Sequence, residues 1–451
     1  MKRLVRIIVA GVVSVAAATS ALQAEPLSFS SAYSKAVDYD ARIRVARADN
    51  LVYKEEVGKA RAQLRPSLRS SLVRGRNTTD SETPGLFGMV KNTRAYNSIN
   101  YSISLRQPLL NISSIAAYQQ SKAMVAKSDA ELSKESSMLI IRIAEAYCNA
   151  LFAEDALAFN QAHIKAAREQ LQQAQMKSDK GFGTITEVNE AKAAFDMAVA
   201  DGVDSQNSVE YNRRELAQLI GFYPEELCKL QPEKIVLELP EPKALDAWID
   251  QARSSNSAVA AAIQEIKVAQ KEHLKQRASR YPTIDLVAGR SYSESDNNYT
   301  IGSIYDTYSI SLQASVPLYS GGYVSAAVRQ AKAKQMKAEE QLSLQERQVE
   351  SDVRKYYNGI VNGISQINAY QQAEKSEAIA MTGTEKGFKA GIRSNVDVLN
   401  AQQKYYESKR ALAKSRYQYI MNRLMLKDSI GTLSGSDVEM VNSWFNSASA
   451  K

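Results

Sequence analysis

The sequence is poor in the residues that usually carry enzyme or metal chemistry. Its 451 residues include only two cysteines and two histidines. Cys148 and Cys228 form no CxxC motif, so two separate thiols are favoured, with a disulfide as the alternative for an exported protein. His163 and His273 lie in stretches rich in Lys, Gln and Glu, where a histidine usually faces solvent. The motifs HExxH, GxSxG and GxxxxGK[ST] do not occur. We therefore expect no enzyme activity, no cofactor and no metal.

Long apolar runs are also scarce, and the clearest one lies at the N-terminus. Basic residues precede an apolar run over 7–18, and small residues lead to Ala24, which predicts a signal peptide over 1–24. No other run reaches the roughly 18 apolar residues of a membrane-spanning helix. A membrane-crossing part of the mature chain is therefore expected to consist of β-barrel strands, whose backbone groups pair with one another.

The charge balance does not indicate a nucleic-acid-binding protein. Lys and Arg number 57 against 49 Asp and Glu, a formal net charge of +8. Three of the basic residues lie in the predicted signal peptide, and the rest are scattered along the chain. No basic patch is therefore expected, and no nucleic-acid partner.

An internal repeat organises the chain. The stretch from about 29 to 221 recurs from about 245 to 431, at a nearly constant spacing of about 210 residues in its later part. The clearest matches are Arg65-Pro66-Ser67-Leu68 with Tyr281-Pro282-Thr283-Ile284, Ser102-Ile103-Ser104-Leu105 with Ser309-Ile310-Ser311-Leu312, and Leu219-Ile220-Gly221 with Ser429-Ile430-Gly431. We predict two copies of one half-molecule. The expected division is a first repeat over 25–221, a linker over 222–244, a second repeat over 245–431 and a tail over 432–451.

Each repeat is expected to begin with a helix and a pair of strands. A helix of roughly 35 residues should end at Pro66 or Pro282, because proline disfavours helix in the residue before it. Strand pairs are predicted over 66–108 and 282–317. Their second strands alternate apolar and polar residues, as in Ile99, Tyr101, Ile103 and Leu105 with serines and asparagine between them. Such alternation is typical of a strand with one apolar and one wet face.

Very long helices follow the strands. They are predicted over 111–180 and 322–389, each about 70 residues or ~100 Å long. Shorter helices over 184–220 and 394–430 then run back. Apolar residues at heptad spacing, Ala150, Leu157, Ile164 and Leu171, form a thin stripe that needs lateral neighbours, as in a coiled coil.

Four strands are too few to close a membrane cylinder, since about eight is the smallest number that packs. The sequence therefore predicts a subunit that supplies a fraction of a barrel and works only as an oligomer. The alternative is a soluble β-hairpin packed on a helical bundle.

Several motifs resemble the TolC family of outer-membrane channels. They are Tyr281-Pro282-Thr283-Ile284-Asp285-Leu286, Ser315-Val316-Pro317-Leu318-Tyr319-Ser320-Gly321-Gly322, Ile367-Asn368-Ala369-Tyr370 and the run from Gly391 to Ala401. The resemblance covers essentially the whole mature chain in order. It implies a mainly α fold with a membrane β-barrel, in a homotrimer with twelve strands, four from each subunit. It also implies a helical coiled-coil tunnel in the periplasm and an equatorial belt built from 222–244 and the tail.

The resemblance further implies a gate at the periplasmic end. The closing contacts of the family lie where this chain has Thr186, Glu187, Phe388 and Arg393, and its narrowest point falls at Asp397 and Asn400. The chain departs from the family archetype at two of these positions. Asn400 stands where the archetype has an aspartate, and Phe388 replaces a tyrosine whose hydroxyl is a closing donor. Both changes should weaken cation capture and alter the closing contact.

The helical turns at Gly181 and Gly391 are where such channels meet a periplasmic adaptor protein. Glycine suits these turns because it permits a positive φ next to a helix end. The same resemblance implies an inner-membrane transporter of the ABC or RND type as the source of energy, and outer-membrane lipid as the surroundings.

Residue spacing alone leaves other roles open at the gate. Asp397 and Asn400 are three residues apart and share one helix face. Both Ser394-Asn-Val-Asp397 and Thr184-Ile-Thr-Glu187 are also capping boxes, in which the acid covers the first amides of a helix. Capping can coexist with an aperture role at Asp397. Glu187 and Arg393 are either a gate ion pair or ordinary solvated charges.

The sequence thus predicts a passive exit duct in the outer membrane that extends into the periplasm. It would serve type I protein secretion, efflux of small molecules, or both. The alternatives are a dedicated multidrug efflux outlet and, from another class, a periplasmic coiled-coil scaffold or adhesin without a pore.

Overall fold

The computed structural model describes residues 26–295 and 303–445. The predicted signal peptide over 1–24 therefore lies outside the described residues. The helices are α1 (Phe29–Tyr39), α2 (Ala41–Ala62), α3 (Ile112–Asp179), α4 (Ile185–Ile220), α5 (Leu245–Ser255), α6 (Ser257–Ala278), α7 (Tyr323–Lys389), α8 (Asn395–Ser429) and α9 (Gly435–Asn442). The strands are β1 (Ser67–Gly85), β2 (Gly88–Leu110), β3 (Thr283–Ser295) and β4 (Ser303–Ser315). None of the described helices combines the length and the hydropathy needed to span a bilayer.

The four strands form one antiparallel sheet in the order β1-β2-β3-β4. Alternate side chains point to opposite faces, and the register places like residues side by side. One face, named the apolar face, carries Leu68, Leu72, Tyr101, Ile103, Leu105, Leu286, Tyr308, Ile310 and Leu312. The other, named the polar face, carries Ser71, Ser102, Ser104, Ser291, Ser309 and Ser311. The predicted division into an apolar and a wet face is confirmed.

The strands of the first repeat are longer than the alternation indicates. β1 and β2 pair over their whole length up to the turn between Gly85 and Gly88. β2 also continues past Pro108 to Leu110, with an irregularity of register between these two residues. A bulge of this kind accommodates a proline, which cannot donate to the ladder.

The first helix of each repeat is broken, which corrects the expectation of one helix of about 35 residues. Asp40 separates α1 from α2, and its carboxylate accepts a hydrogen bond from the Ile43 amide at 3.0 Å. Asn256 separates α5 from α6, and its amide donates to the Ser429 carbonyl at 2.8 Å. Both residues have extended ψ angles, 123° and 127°. Asp and Asn favour such positions because their side chains bind nearby backbone groups.

Small residues line the buried sides of the long helices. Of the predicted heptad stripe on α3, Ala150 is fully buried, whereas Leu157, Ile164 and Leu171 are half-buried. Further buried alanines recur at seven-residue spacing: Ala167 and Ala174 on α3, Ala191 and Ala198 on α4, and Ala331 and Ala338 on α7. Alanine at these places lets neighbouring helices approach closely while keeping high helix propensity.

The linker and the tail build part of a core around Tyr147. The Tyr147 ring packs against Phe29 (5.6 Å between centroids) and Phe445 (5.3 Å). Its hydroxyl lies 2.8 Å from the Leu27 carbonyl and 3.1 Å from that of Cys228. Backbone bridges join Leu27 to Leu227 and Leu230 to Phe445. Cys148 and Cys228 are both buried and are not joined by a disulfide, in line with the favoured expectation of two separate thiols.

The described chain forms two compact units, and each takes segments from both sequence repeats. The described parts of Met1–Val45, Ser133–Asn256 and Arg347–Lys451 form the first unit. It contains the Tyr147 core, α9 and the turns between the long and the shorter helices. The described parts of Ala46–Leu132 and Ser257–Glu346 form the second unit, which contains the sheet.

Candidate functional site at two interhelical turns

Two equivalent turns join the long helices to the shorter ones in the first unit. After α3, Gly181 has φ +74°, and the amides of Gly181 and Phe182 donate to the carbonyls of Ser178 and Lys177, each at 2.9 Å. This is a Schellman motif, in which a left-handed glycine satisfies the last carbonyls of a helix. The α7–α8 turn repeats it at Gly391, whose φ is +76°.

The second turn has the same hydrogen bonds. The amides of Gly391 and Ile392 donate to the carbonyls of Phe388 and Gly387, at 3.1 and 2.8 Å. Phe182 and Ile392 occupy the same place in the two motifs, and they are 83% and 80% exposed. Each turn therefore presents one large apolar side chain to its surroundings.

A capping box starts the helix that follows each turn. The Glu187 amide donates to the Thr184 hydroxyl (3.2 Å), and the Thr184 amide donates to the Glu187 carboxylate (3.1 Å). Ser394 and Asp397 make the same two bonds at 3.2 and 2.9 Å. The bond from the Ser394 amide, with help from the Ser394 hydroxyl and the Arg393 charge, lowers the pKa of Asp397. Asp397 therefore caps α8 and keeps its negative charge.

A buried polar bridge links the starts of α4 and α8. The Asn395 amide donates to the Glu187 carbonyl at 3.2 Å, and its oxygen accepts a hydrogen bond from Gln170 on α3. Gln402 on α8 donates to the Glu385 carboxylate on α7 at 3.3 Å. These three amide side chains are almost fully buried. Sequence reasoning missed them because no local pattern pairs residues so far apart in the chain.

Phe388, one of the predicted gate residues, is buried beneath a lysine. The Lys177 ammonium lies 3.7 Å from the centroid of the Phe388 ring, a cation–π contact between α3 and α7. A Cβ atom added at Gly387 would lie 2.9 Å from the Arg393 Cγ atom. Glycine at 387 thus leaves room for the Arg393 side chain to lie back along α7.

Among the described residues of one chain, the remaining predicted gate residues do not form the predicted ion pair. In the part of the chain that the structure describes, Glu187 and Arg393 form no ion pair with each other, and Thr186 is exposed. Asn400 is also exposed, on the same helix as Asp397 and three residues further on. Two features of the gate stay predictions. One is an ion pair between Glu187 of one copy and Arg393 of another, and the other is a set of rings formed by Asp397 and Asn400.

The fold matches that of solved outer-membrane channels. The crystal structure of the Campylobacter jejuni CmeC outer membrane channel superposes with a TM-score of 0.76, at 14% sequence identity, over 92% of this chain and 89% of that one. Long helices joined by tight turns, together with a four-stranded sheet, thus define the fold class of these channels.

The chain belongs to the outer membrane efflux protein family, whose sequence model matches residues 32–222 and 248–432. It is 32% identical to the alkaline protease secretion protein AprF of Pseudomonas aeruginosa, over 91% of this chain and 85% of that protein. It is 30% identical to the outer membrane protein TolC of Escherichia coli K12, over 98% and 89% of the two chains. The resemblance to the TolC family is confirmed. It places the protein in the outer membrane, among channels rather than enzymes.

Proposed function

We propose that three copies of this chain form one export duct whose periplasmic end is closed at the two interhelical turns. The observation that carries this proposal is the pair of equivalent turns. Each ends a long helix, each is followed by a capped helix, and Asn395 ties the two capped ends together. Such a unit can move as one body, because its helix ends are held by their own hydrogen bonds rather than by a neighbour.

The charge at Asp397 and the position of Arg393 support a gate. Asp397 carries its charge four residues after Arg393, whose positive charge helps to lower the Asp397 pKa. With three copies around one axis, three such carboxylates would face one lumen and attract cations. Arg393 is exposed, so its guanidinium is available to a neighbouring copy.

The exposed apolar side chains at the turns support an adaptor-binding role. Phe182 and Ile392 extend from the Schellman turns where a partner can reach them. Buried aromatic and aliphatic anchors are typical centres of protein interfaces. In this proposal a periplasmic adaptor contacts both turns, and an ABC or RND transporter in the inner membrane supplies the energy.

Conductance of the purified protein in a planar bilayer tests the gate. We expect a small cation-selective current. Asp397→Asn removes the charge but keeps a side chain able to cap the helix, so selectivity should fall while the closed conductance stays low. Arg393→Ser should instead enlarge the current. Lys389→Ser, a nearby exposed cation on α7, is the matched control and should leave the current unchanged. Unchanged currents in both gate variants would refute the assignment.

The cargo is proposed to be protein, exported by type I secretion. The support is the similarity to AprF, which is named for the secretion of alkaline protease. The family description, outer membrane efflux protein, favours small-molecule efflux as the second candidate. A deletion strain separates the two. Loss of a secreted protein from the medium with unchanged drug susceptibility supports secretion, and the reverse pattern supports a dedicated efflux outlet.

A further inference from the structure

The apolar face of the sheet changes character at one level. Four apolar residues stand side by side in the row Leu68–Leu105–Ala288–Ile310. Four residues further from the helices, the row is Leu72–Tyr101–Tyr292–Asp306. There the rings of Tyr101 and Tyr292 stack at 4.7 Å, with 12° between their planes. From the tyrosine row outward, charged residues join the apolar ones, as in the next row Arg74–Ile99–Glu294–Ile304.

Near this level, the charge of Arg290 is neutralised within the sheet by Asp306. Arg290 donates twice to Asp306, at 2.9 and 2.8 Å. Its guanidinium also lies 5.0 Å from the centroid of the Tyr308 ring. A bidentate pair of this kind satisfies both charges, so neither partner has a strong need for an outside ligand.

Two arginines just beyond the tyrosine row lack such a partner. Arg74 and Arg76 lie on the apolar face of β1, opposite Ile99 and Asn97. They are two residues apart, so their Cα atoms lie roughly 7 Å from each other. Both are exposed, and among the described residues neither makes an ion pair or a side-chain hydrogen bond.

Carboxylates on the same face are engaged elsewhere. Glu294 accepts a hydrogen bond from the Tyr292 hydroxyl at 3.0 Å, and Asp80 accepts one from Thr93 at 2.6 Å. Glu82 pairs with Lys91 at 2.7 Å. Among the described residues, the two arginines therefore have no carboxylate paired with them, at the edge of an apolar surface.

The height of the apolar face places this edge at the level of the lipid headgroups. From Ile284 to Tyr292 the apolar face runs eight residues along β3, roughly 26 Å, or about 20 Å after a strand tilt near 40°. The apolar band of outer-membrane strands is about 25 Å tall. Tyrosines are enriched where such a band meets the headgroups. Arg74 and Arg76 lie two and four residues past the tyrosine row, at headgroup level.

We propose that Arg74 and Arg76 bind the phosphate groups of lipids at the outer edge of the apolar face. Guanidinium groups match the planar, bidentate geometry of phosphate, and the lipid chains lie along the apolar rows below. The site lies toward the turn between Gly85 and Gly88, away from the strand ends that lead to the helices, and hence in the outer leaflet. The inference rests on the proposed channel function, which exposes this face to lipid.

Lipid binding by the purified full-length protein tests the proposal. Native mass spectrometry would follow titration with bisphosphorylated lipid A and, separately, with zwitterionic phosphatidylcholine. We expect preference for lipid A, and a loss of roughly fivefold in affinity for each arginine replaced in Arg74→Gln and Arg76→Gln. Higher salt should weaken the preference. Arg69→Gln is the matched control, because Arg69 is an exposed arginine on the polar face of the same strand.

Failure of this inference is distinguishable from failure of the channel. If wild type conducts as a trimer but the double variant binds lipid A as wild type does, only the lipid site is refuted. An equal loss with Arg69→Gln also refutes it, as does binding of inorganic phosphate with the same affinity as lipid A. If Arg74 and Arg76 instead contact a second copy, the double variant would lose the trimer in detergent, and the lipid site would again be wrong. A wild-type protein without conductance would overturn the channel.

Discussion

Replacing Gly431 by alanine should destabilise the first unit more than the same change at Gly221 or Gly391. Gly431 follows α8 with φ +74°, and an added Cβ would lie 2.8 Å from the Ser255 carbonyl carbon and 3.0 Å from the Asn256 Cα atom. Both neighbours are backbone atoms at the α5–α6 break, which the Asn256–Ser429 hydrogen bond holds in place. The clash therefore cannot be relieved by rotating a side chain.

The size of the effect follows from two costs. A non-glycine residue in the left-handed region costs about 1–2 kcal/mol, and overpacking against a fixed wall adds about 1–3 kcal/mol. Gly431→Ala should thus cost about 2–5 kcal/mol. Gly391→Ala is the control, because Gly391 has φ +76° and open space around its Cβ position. Gly391→Ala should therefore cost only the about 1–2 kcal/mol of the left-handed conformation. Gly221→Ala should fall between them, since its obstacle is the movable ring of Tyr39.

Urea unfolding of the purified variants in detergent, followed by far-UV circular dichroism, measures these differences. The expected order of stability loss is Gly431, then Gly221, then Gly391. Equal losses at Gly431 and Gly391 would show that the Ser255 contact is not tight, and would refute the reasoning.

Two further predictions concern the same unit. Burial, with a smaller contribution from Asp352, raises the pKa of Asp428 from near 3.8 to about 6 against the opposing charge of Lys134. The stability that protonated Asp428 contributes is complete below about pH 3.8 and is lost as the pH rises through about 6. Asp428→Asn should therefore match the stability of wild type at pH 4 and exceed it by up to about 2–3 kcal/mol at pH 8. Urea unfolding at the two pH values measures this, and a stability difference that does not change with pH would contradict it. Tyr147→Phe should cost about 1–3 kcal/mol because the buried Cys228 carbonyl and the half-buried Leu27 carbonyl lose the Tyr147 hydroxyl. Tyr211→Phe, at an exposed hydroxyl bound to a surface glutamate, should be neutral. Equal urea midpoints for the two variants would refute the difference.

Those parts of the fold that repeat along the sequence could be predicted. The alternation in β2 and β4 identified the two faces of the sheet, because a strand has a period of two residues. The length of α3 and α7 could be seen from their uninterrupted helical composition and from the glycines after them. Gly181 and Gly391 were identified as turn residues by their place between two such helices, and both have positive φ.

Features that depend on contacts between distant segments could not be predicted. The Asn395 side chain bonds to residues 208 and 225 positions away in the chain, and nothing in its neighbourhood distinguishes it from a solvated asparagine. The breaks at Asp40 and Asn256 have only a weak local signal, a single residue with a capping side chain. By contrast, α9 had a visible local signal that was missed, since Ser434 and Asp437 form a capping box at its start.

The capping of α8 also bears on how a ring of carboxylates could stay charged. In the proposed trimer, three Asp397 side chains converge, and like charges at close range raise one another's pKa. The hydrogen bond from the Ser394 amide acts in the opposite direction and lowers it. The amide belongs to the same chain and is fixed by the start of the helix, so its effect does not depend on whether the gate is open or closed. The capping box is therefore not an alternative to the aperture role. It stabilises the charged form that the aperture role requires, and it leaves the second carboxylate oxygen of Asp397 free of that amide.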